Sequence, residues 1–228
     1  MSRRLAGGEQ GAQAAARPAP ERGMSDPRTA LVGAGYDAMA DRWEQWSSSI
    51  TDDPRGEWLQ RLIERLPEGA VVVELGCGNG TSETRELAQR FDVTGVDLSE
   101  AQLRRARSRV PQATFVRGDL TSIEFPACSL DAVCAFYVLN HVPRELLPEL
   151  FARVHTWLRP GGLFLATLGA SDLEGWQGEW LGVPMYFSGY EPSRNRELLS
   201  SFELVGDEVV TIAEPEGDVS FHWVLARR

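Results

Sequence analysis

The chain has 228 residues, 43% of them hydrophobic and 25% charged, which suits one α/β domain with a well-buried core. A formal net charge of −10 argues against holding nucleic acid by phosphate neutralisation, and because all 23 basic residues are Arg, Schiff-base chemistry and Tyr/Lys catalytic pairs are excluded. Cys77, Cys128 and Cys134 form no CxxC pair, so neither a disulfide framework nor a Cys zinc site is expected and a reducing cytoplasm fits; no apolar run is long enough to span a bilayer.

From Met1 to about Arg28 the chain is rich in Ala, Gly, Arg and Pro without apolar periodicity, and is expected to be a disordered tail, with Met24 an alternative first residue. The domain then runs from 29 to 228, opening with a helical lid over 29–68. An aromatic segment from Gly35 to about Ser49 (Tyr36, Trp43, Trp46) reads as one helix. A second starts near Pro54, capped by Asp53, with Trp58, Leu59, Leu62, Ile63 and Leu66 on one face. Val71 to Leu75 reads as a strand buried on both faces, because it is apolar but for Glu74 and rich in β-branched residues. Gly76, Gly78 and Gly80 follow at alternate positions, and Thr81 to Phe91 has helical spacing, so the glycines make a tight turn from strand to helix. Such a turn lets a ligand touch the main chain and offers it unpaired N–H groups.

Asp92 to Leu98 is a second strand ending near Asp97, and Ser99-Glu100-Ala101-Gln102 reads as a capping box. Ala113 to Val116 gives a third strand, ending in Gly118-Asp119-Leu120. Leu130 to Leu139 gives a fourth, leading to Asn140-His141-Val142-Pro143. A helix is expected from Pro143 to Leu158 and a fifth strand from Leu163 to Leu168. The aromatic insertion 171–192 lacks a clean period and is expected to be a loop with short elements covering the rim. A helix near 194–202 and strands near 204–212 and 219–226 close the chain, the last two pairing antiparallel. The alternation of strands and helices predicts a parallel sheet whose carboxyl ends gather Glu74, Asp97, Asp119 and Asn140 on one rim.

Taken together, Glu74-Leu75-Gly76-Cys77-Gly78-Asn79-Gly80, Asp97, Gly118-Asp119-Leu120, Arg159-Pro160-Gly161-Gly162 and the closing Phe221-His222-Trp223-Val224-Leu225-Ala226 resemble the class I S-adenosylmethionine-dependent methyltransferases. The resemblance implies a Rossmann-like, doubly wound seven-stranded sheet, mostly parallel with an antiparallel last strand. It places the cofactor's methionine end at the glycine turn with Glu74 towards the ammonium, both ribose hydroxyls on Asp97, and the adenine on Asp119 between Leu98 and Leu120. Backbone around Phe136 would line the sulfonium and Tyr36 would reach cofactor or acceptor. Trp43, Trp46, Trp180, Met185, Tyr186 and Phe187 would then line an apolar or aromatic-accepting pocket. The expected function is methylation of a small, hydrophobic or aromatic metabolite, at oxygen, with specialised metabolism as the setting.

His141, following the fourth strand on the sulfonium side, is the candidate base, set against an equal reading as a packing or capping residue. His155 and His222 read as structural, and Cys77 as a small packing residue. The Gly-rich turn with an acid downstream also fits a nicotinamide-dependent oxidoreductase, but Glu83 stands where that fingerprint wants a third glycine and Glu74 would repel a pyrophosphate. A methyltransferase fold used for binding or cyclisation is the other alternative. No metal site is expected, and the oligomeric state is left open.

Overall fold

The computed structural model describes residues 26–228; the expected tail over residues 1–25 and the alternative start at Met24 lie outside them. The first helix, α1, runs Pro27–Ser47, earlier than the aromatic pattern suggested. Asp26 is its N-cap, taking the Arg28 N–H on its side chain, and Pro27 sets the first helical φ, so the Asp-Pro pair starts the helix upstream of its aromatic face. The expected tail therefore gives way to helix at its last residues. Helix α2 covers Arg55–Ile63, and Asp53 accepts the Arg55 N–H as the capping reading anticipated.

Strand β1 (Val71–Leu75), α3 (Ser82–Ala88), β2 (Asp92–Asp97), α4 (Glu100–Arg109), β3 (Thr114–Arg117), β4 (Leu130–Ala135), α5 (Leu147–Trp157) and β5 (Leu158–Gly169) make the alternating half. Ser99 caps α4 through the Gln102 N–H. Strand β4 ends at Ala135, four residues before the expected point, because Tyr137 turns the chain out of the sheet at φ 51°, a left-handed conformation uncommon for a bulky residue. A 3₁₀ turn at Leu139–His141 precedes the expected helix from Pro143, which is itself divided into a 3₁₀ turn at Arg144–Leu146 and α5.

Residues 171–192 differ most from expectation. They form a hairpin of β6 (Leu173–Trp180) and β7 (Val183–Gly189), turned by Leu181 and Gly182, both at positive φ (49° and 73°). Two such residues between antiparallel strands are the twist-matched hairpin turn. Helix α6 (Pro192–Leu198), β8 (Glu203–Glu214) and β9 (Gly217–Arg227) complete the chain.

Seven strands form one sheet in the order β3-β2-β1-β4-β5-β9-β8. Strands β1 to β5 are mutually parallel, and β9 lies antiparallel to both β5 and β8. Strand order reverses between β1 and β4, so the crevice beyond their carboxyl ends is where such a sheet takes a ligand. One face packs on α5 through Leu150, Phe151 and Val154. The other packs on α2, where Trp58 stacks on Trp223 of β9 at 5.7 Å and 20°. A smaller cluster joins α1 to β7 through Val32, Met39, Val183 and Met185. Trp58 is 1% exposed, so Trp58→Ala should cost about 3–5 kcal/mol in urea unfolding, with Cm lowered.

Candidate active site

The carboxyl ends of β1, β2 and β4, the segment after β3, helix α1 and the two hairpins enclose one cavity of about 410 Å³. Glu74, Gly76, Gly78, Asp97, Leu98, Asp119, Leu120 and Phe136 line it, as do Tyr36 and His141. Trp43, Trp46, Trp180 and Phe187 form its aromatic wall.

Three expected residues are not in the lining. Gly80, at φ +72°, is needed for packing: a Cβ there would sit 3.0 Å from the Ala106 Cα of α4. Met185 is buried against Gly35 of α1, and the Tyr186 ring lies beneath the Arg28 guanidinium, so both side chains join β7 to α1 instead of facing the cavity. Phe187 of this trio stays in the lining, while Met185, on the same face of β7, is taken up by the approach of α1 at Gly35.

Glu74 is 2% exposed, and its Oε2 has no hydrogen-bond partner among the described residues. Burial pushes its carboxyl up to about 8, against a lowering hydrogen bond from Thr84. Asp97 accepts the Gly78 N–H on Oδ2 and the Ser99 N–H on Oδ1, both at 2.9 Å, which orients its carboxylate; burial nonetheless pushes it upward. Asp119 takes the Thr121 N–H and hydroxyl on Oδ1. The buried Cys77 thiol is pushed well up by desolvation, consistent with packing and not nucleophilic attack.

His141 is held at both nitrogens. Nδ1 lies 3.0 Å from the Tyr186 carbonyl oxygen, which can only accept, so Nδ1 carries the proton. Nε2 is then the acceptor for the Tyr36 hydroxyl, 2.8 Å away. Burial lowers His141 to about 4, and the ring is neutral; the Tyr36 phenol is pushed upward, first by burial. His222 donates towards Asp207 (2.7 Å) and takes the Asn195 amide (3.3 Å), while His155 packs edge-on against Phe202; neither lines the cavity.

Several lining residues escaped the sequence reading. Arg55 is paired with Asp53 at 2.7 Å and lies over the Tyr137 ring, whose hydroxyl donates to Asp53 at 3.0 Å. Gln102 presents buried amide atoms without partners among the described residues, as does Asn140, which the strand-end reading places on the rim, and Glu214 and Phe221 enter from the β8–β9 hairpin. The Asp53-Pro54-Arg55 turn was a visible signal for the first of these; the hairpin residues had none, because strand patterning does not say how far a hairpin reaches. Among the described residues no His/Cys/Asp/Glu group has metal-holding geometry, and no helix is long and apolar enough to cross a membrane.

A family model described as a methyltransferase domain matches residues 72–162, the stretch that carries the glycine turn, Asp97 and Asp119. The matched stretch is a methyltransferase domain, and the chain is similar to the class I S-adenosylmethionine-dependent methyltransferases. That similarity points to S-adenosylmethionine as the cofactor, and the Glu74 oxygen without a hydrogen-bond partner among the described residues, beside the glycine turn, suits that molecule's cationic tail. Trans-aconitate 2-methyltransferase of Variovorax paradoxus is 43% identical over 119 residues, 49% of this chain and 44% of that protein. The 27-O-demethylrifamycin SV methyltransferase of Amycolatopsis mediterranei is 34% identical over 161 residues, 61% of this chain and 58% of its own. The chain thus spans about half the length of the curated relatives it matches. A Burkholderia thailandensis 1,6-didemethyltoxoflavin-N1-methyltransferase, solved with 1,6-didemethyltoxoflavin and S-adenosylhomocysteine, superposes with a TM-score of 0.68 over 95% of this chain and 96% of that one, at 21% identity, and shares the fold.

A buried histidine depressed to about 4 resists protonation that the unfolded chain, near 6.5, accepts. Between those values the unfolded state binds more protons, so stability falls as pH drops. At pH 5 the methyltransferase should lose roughly 2 kcal/mol through this group, and His141→Gln should show a correspondingly smaller pH 7 to pH 5 drop in urea-measured stability.

Proposed function

We propose that this methyltransferase alkylates a small apolar or aromatic acceptor at a hydroxyl oxygen. The observation that carries the reading is a neutral His141 bonded through Tyr36 to an aromatic-walled cavity that also holds the glycine turn. When bound, S-adenosylmethionine supplies a methyl group on a sulfonium. On the protein side, Glu74 meets the cofactor's ammonium, Gly76 and Gly78 lie along its methionine end, and Asp97 takes the ribose hydroxyls on the lone pairs its backbone donors leave free. Asp119 takes the adenine amino group, with Leu98 and Leu120 against the base. Phe136 and Tyr36 border the transfer point.

Because Nε2 already accepts from Tyr36, His141 acts through that phenol. The acceptor's proton passes to the Tyr36 oxygen as the Tyr36 proton passes to Nε2. A base near 4 is sufficient, since the acceptor's O–H becomes strongly acidic as its oxygen bonds to the transferred methyl carbon and gains oxonium character. Trp43, Trp46, Trp180 and Phe187 exclude water and orient the acceptor. A polyanion such as trans-aconitate, named for the Variovorax relative, would face Glu214 and an Arg55 already engaged by Asp53. Free cysteines fit a reducing cytoplasm, and the acidic charge fits a small-molecule partner and not nucleic acid.

Calorimetric titration with S-adenosylhomocysteine, run in buffers of different ionisation enthalpy, tests the cofactor half. Binding should release a proton from Glu74 at pH 7, tighten as pH rises to about 8, and lose the proton release in Glu74→Gln. Undetectable binding, or preference for NADH, would overturn the reading. For the acceptor half, a panel of phenols and alcohols with labelled cofactor identifies methylated products by mass spectrometry. With a product in hand, Tyr36→Phe and His141→Ala should each lower kcat about 10²-fold or more with KM little changed.

A further inference from the structure

Glu214 ends β8 and lines the cavity, yet it forms no hydrogen bond or ion pair among the described residues. The hairpin that carries it is tied down, because the Trp46 indole N–H donates to Glu216 Oε2 at 2.9 Å, joining its tip to α1. The carboxylate is thus held in place and left without a counter-charge. Arg55, the one Lys or Arg in the lining among the described residues, does not supply it: it is paired with Asp53 at 2.7 Å, stands 4.0 Å from Glu83 and lies over the Tyr137 ring. Burial, reinforced by the neighbouring Glu216 charge, pushes Glu214 up to about 7, and its charge adds to the upward push on the Tyr36 and Tyr137 phenols.

An unpaired carboxylate among indole and phenyl faces is the arrangement that a protonated amine satisfies, since the rings attract the cation through their quadrupoles and the carboxylate accepts its N–H bonds. Rings that line the same cavity are in mutual contact: Tyr137, whose phenol feels the Glu214 charge, meets Phe221 edge-on at 4.8 Å, and Trp46 meets Trp180 at 5.1 Å. We propose that Glu214 is a specificity residue, and that the acceptor is an aromatic alcohol or phenol bearing a basic amine whose cation is received by Glu214 within this aromatic wall. The proposal deepens the function proposed above and rests on its placement of cofactor and acceptor in one cavity.

Three probes of one scaffold separate charge from shape: tyramine as cation, 4-ethylphenol as neutral analogue and 3-(4-hydroxyphenyl)propanoate as anion. Each is titrated calorimetrically into the protein with and without saturating S-adenosylhomocysteine, at pH 8. Tyramine should bind at least about tenfold more tightly than either other probe. Glu214→Gln should abolish that preference while S-adenosylhomocysteine affinity stays within about twofold, since Glu214 lies outside the residues assigned to the cofactor. Equal affinities, no detectable binding of any probe, or a preference that survives Glu214→Gln would overturn the Glu214 subsite. Loss of S-adenosylhomocysteine binding with the tyramine preference intact would instead overturn the methyltransferase reading alone.

Discussion

An acid at the end of a strand buried on both faces is expensive, and here that cost organises the site. Glu74 follows three valines in the middle of the sheet, and β2 and β4 flank its strand on either side, so its carboxylate has no access to bulk water. A buried carboxylate either takes up a proton or finds a cation. Glu74 does the first in the free protein, where burial holds it near 8, and on the proposed function the cofactor's ammonium is the second. Around it the glycine turn, Asp97 and Asp119 are placed by the regular geometry of parallel strands, each at or just beyond a carboxyl end.

The other half of the cavity depends on a single run of hydrogen bonds that crosses three chain segments. Tyr36 of α1 donates to His141, which follows β4, and His141 donates to the carbonyl of Tyr186 in β7. The run fixes a tautomer, holds the imidazole neutral and fastens helix and hairpin to the sheet. On the proposed mechanism, positioning and proton handling therefore depend on the same two side chains, Tyr36 and His141, and on one main-chain carbonyl of β7.

The cofactor side was legible in the sequence because its signals are local. A β-branched strand, alternate glycines and acids at fixed offsets are short-range patterns, and the sheet order follows from strand–helix alternation. The roof was less legible. Met185 and Tyr186 read as pocket residues on composition, yet α1 turned both into packing residues, Met185 against Gly35 and the Tyr186 ring beneath the Arg28 guanidinium. Gly80 belonged to the motif by spacing, whereas its lack of a side chain serves α4. The β6–β7 hairpin was missed because its turn, Leu181-Gly182, puts a leucine at positive φ, where turn chemistry favours Asn, Asp or Gly. Glu214 had no sequence signal, since its position depends on how far β8 and β9 extend past the sheet and on the Trp46–Glu216 bond.

The Leu181–Gly182 turn closes a unit whose strands ladder only with each other, and which meets the rest of the chain through side-chain packing and a few side-chain-to-backbone bonds such as His141 to the Tyr186 carbonyl. Together with α1 and the tip of β8–β9 it lies outside residues 72–162, the stretch over which the family model matches. On the proposed function, this divides the protein into a chassis for the methyl donor and exchangeable fittings that choose what is methylated. Drift in the fittings leaves the sheet's hydrogen-bond ladder intact, so new acceptors are reachable without refounding the fold. A graft of the 173–189 hairpin between relatives is the natural unit in which such selectivity would travel.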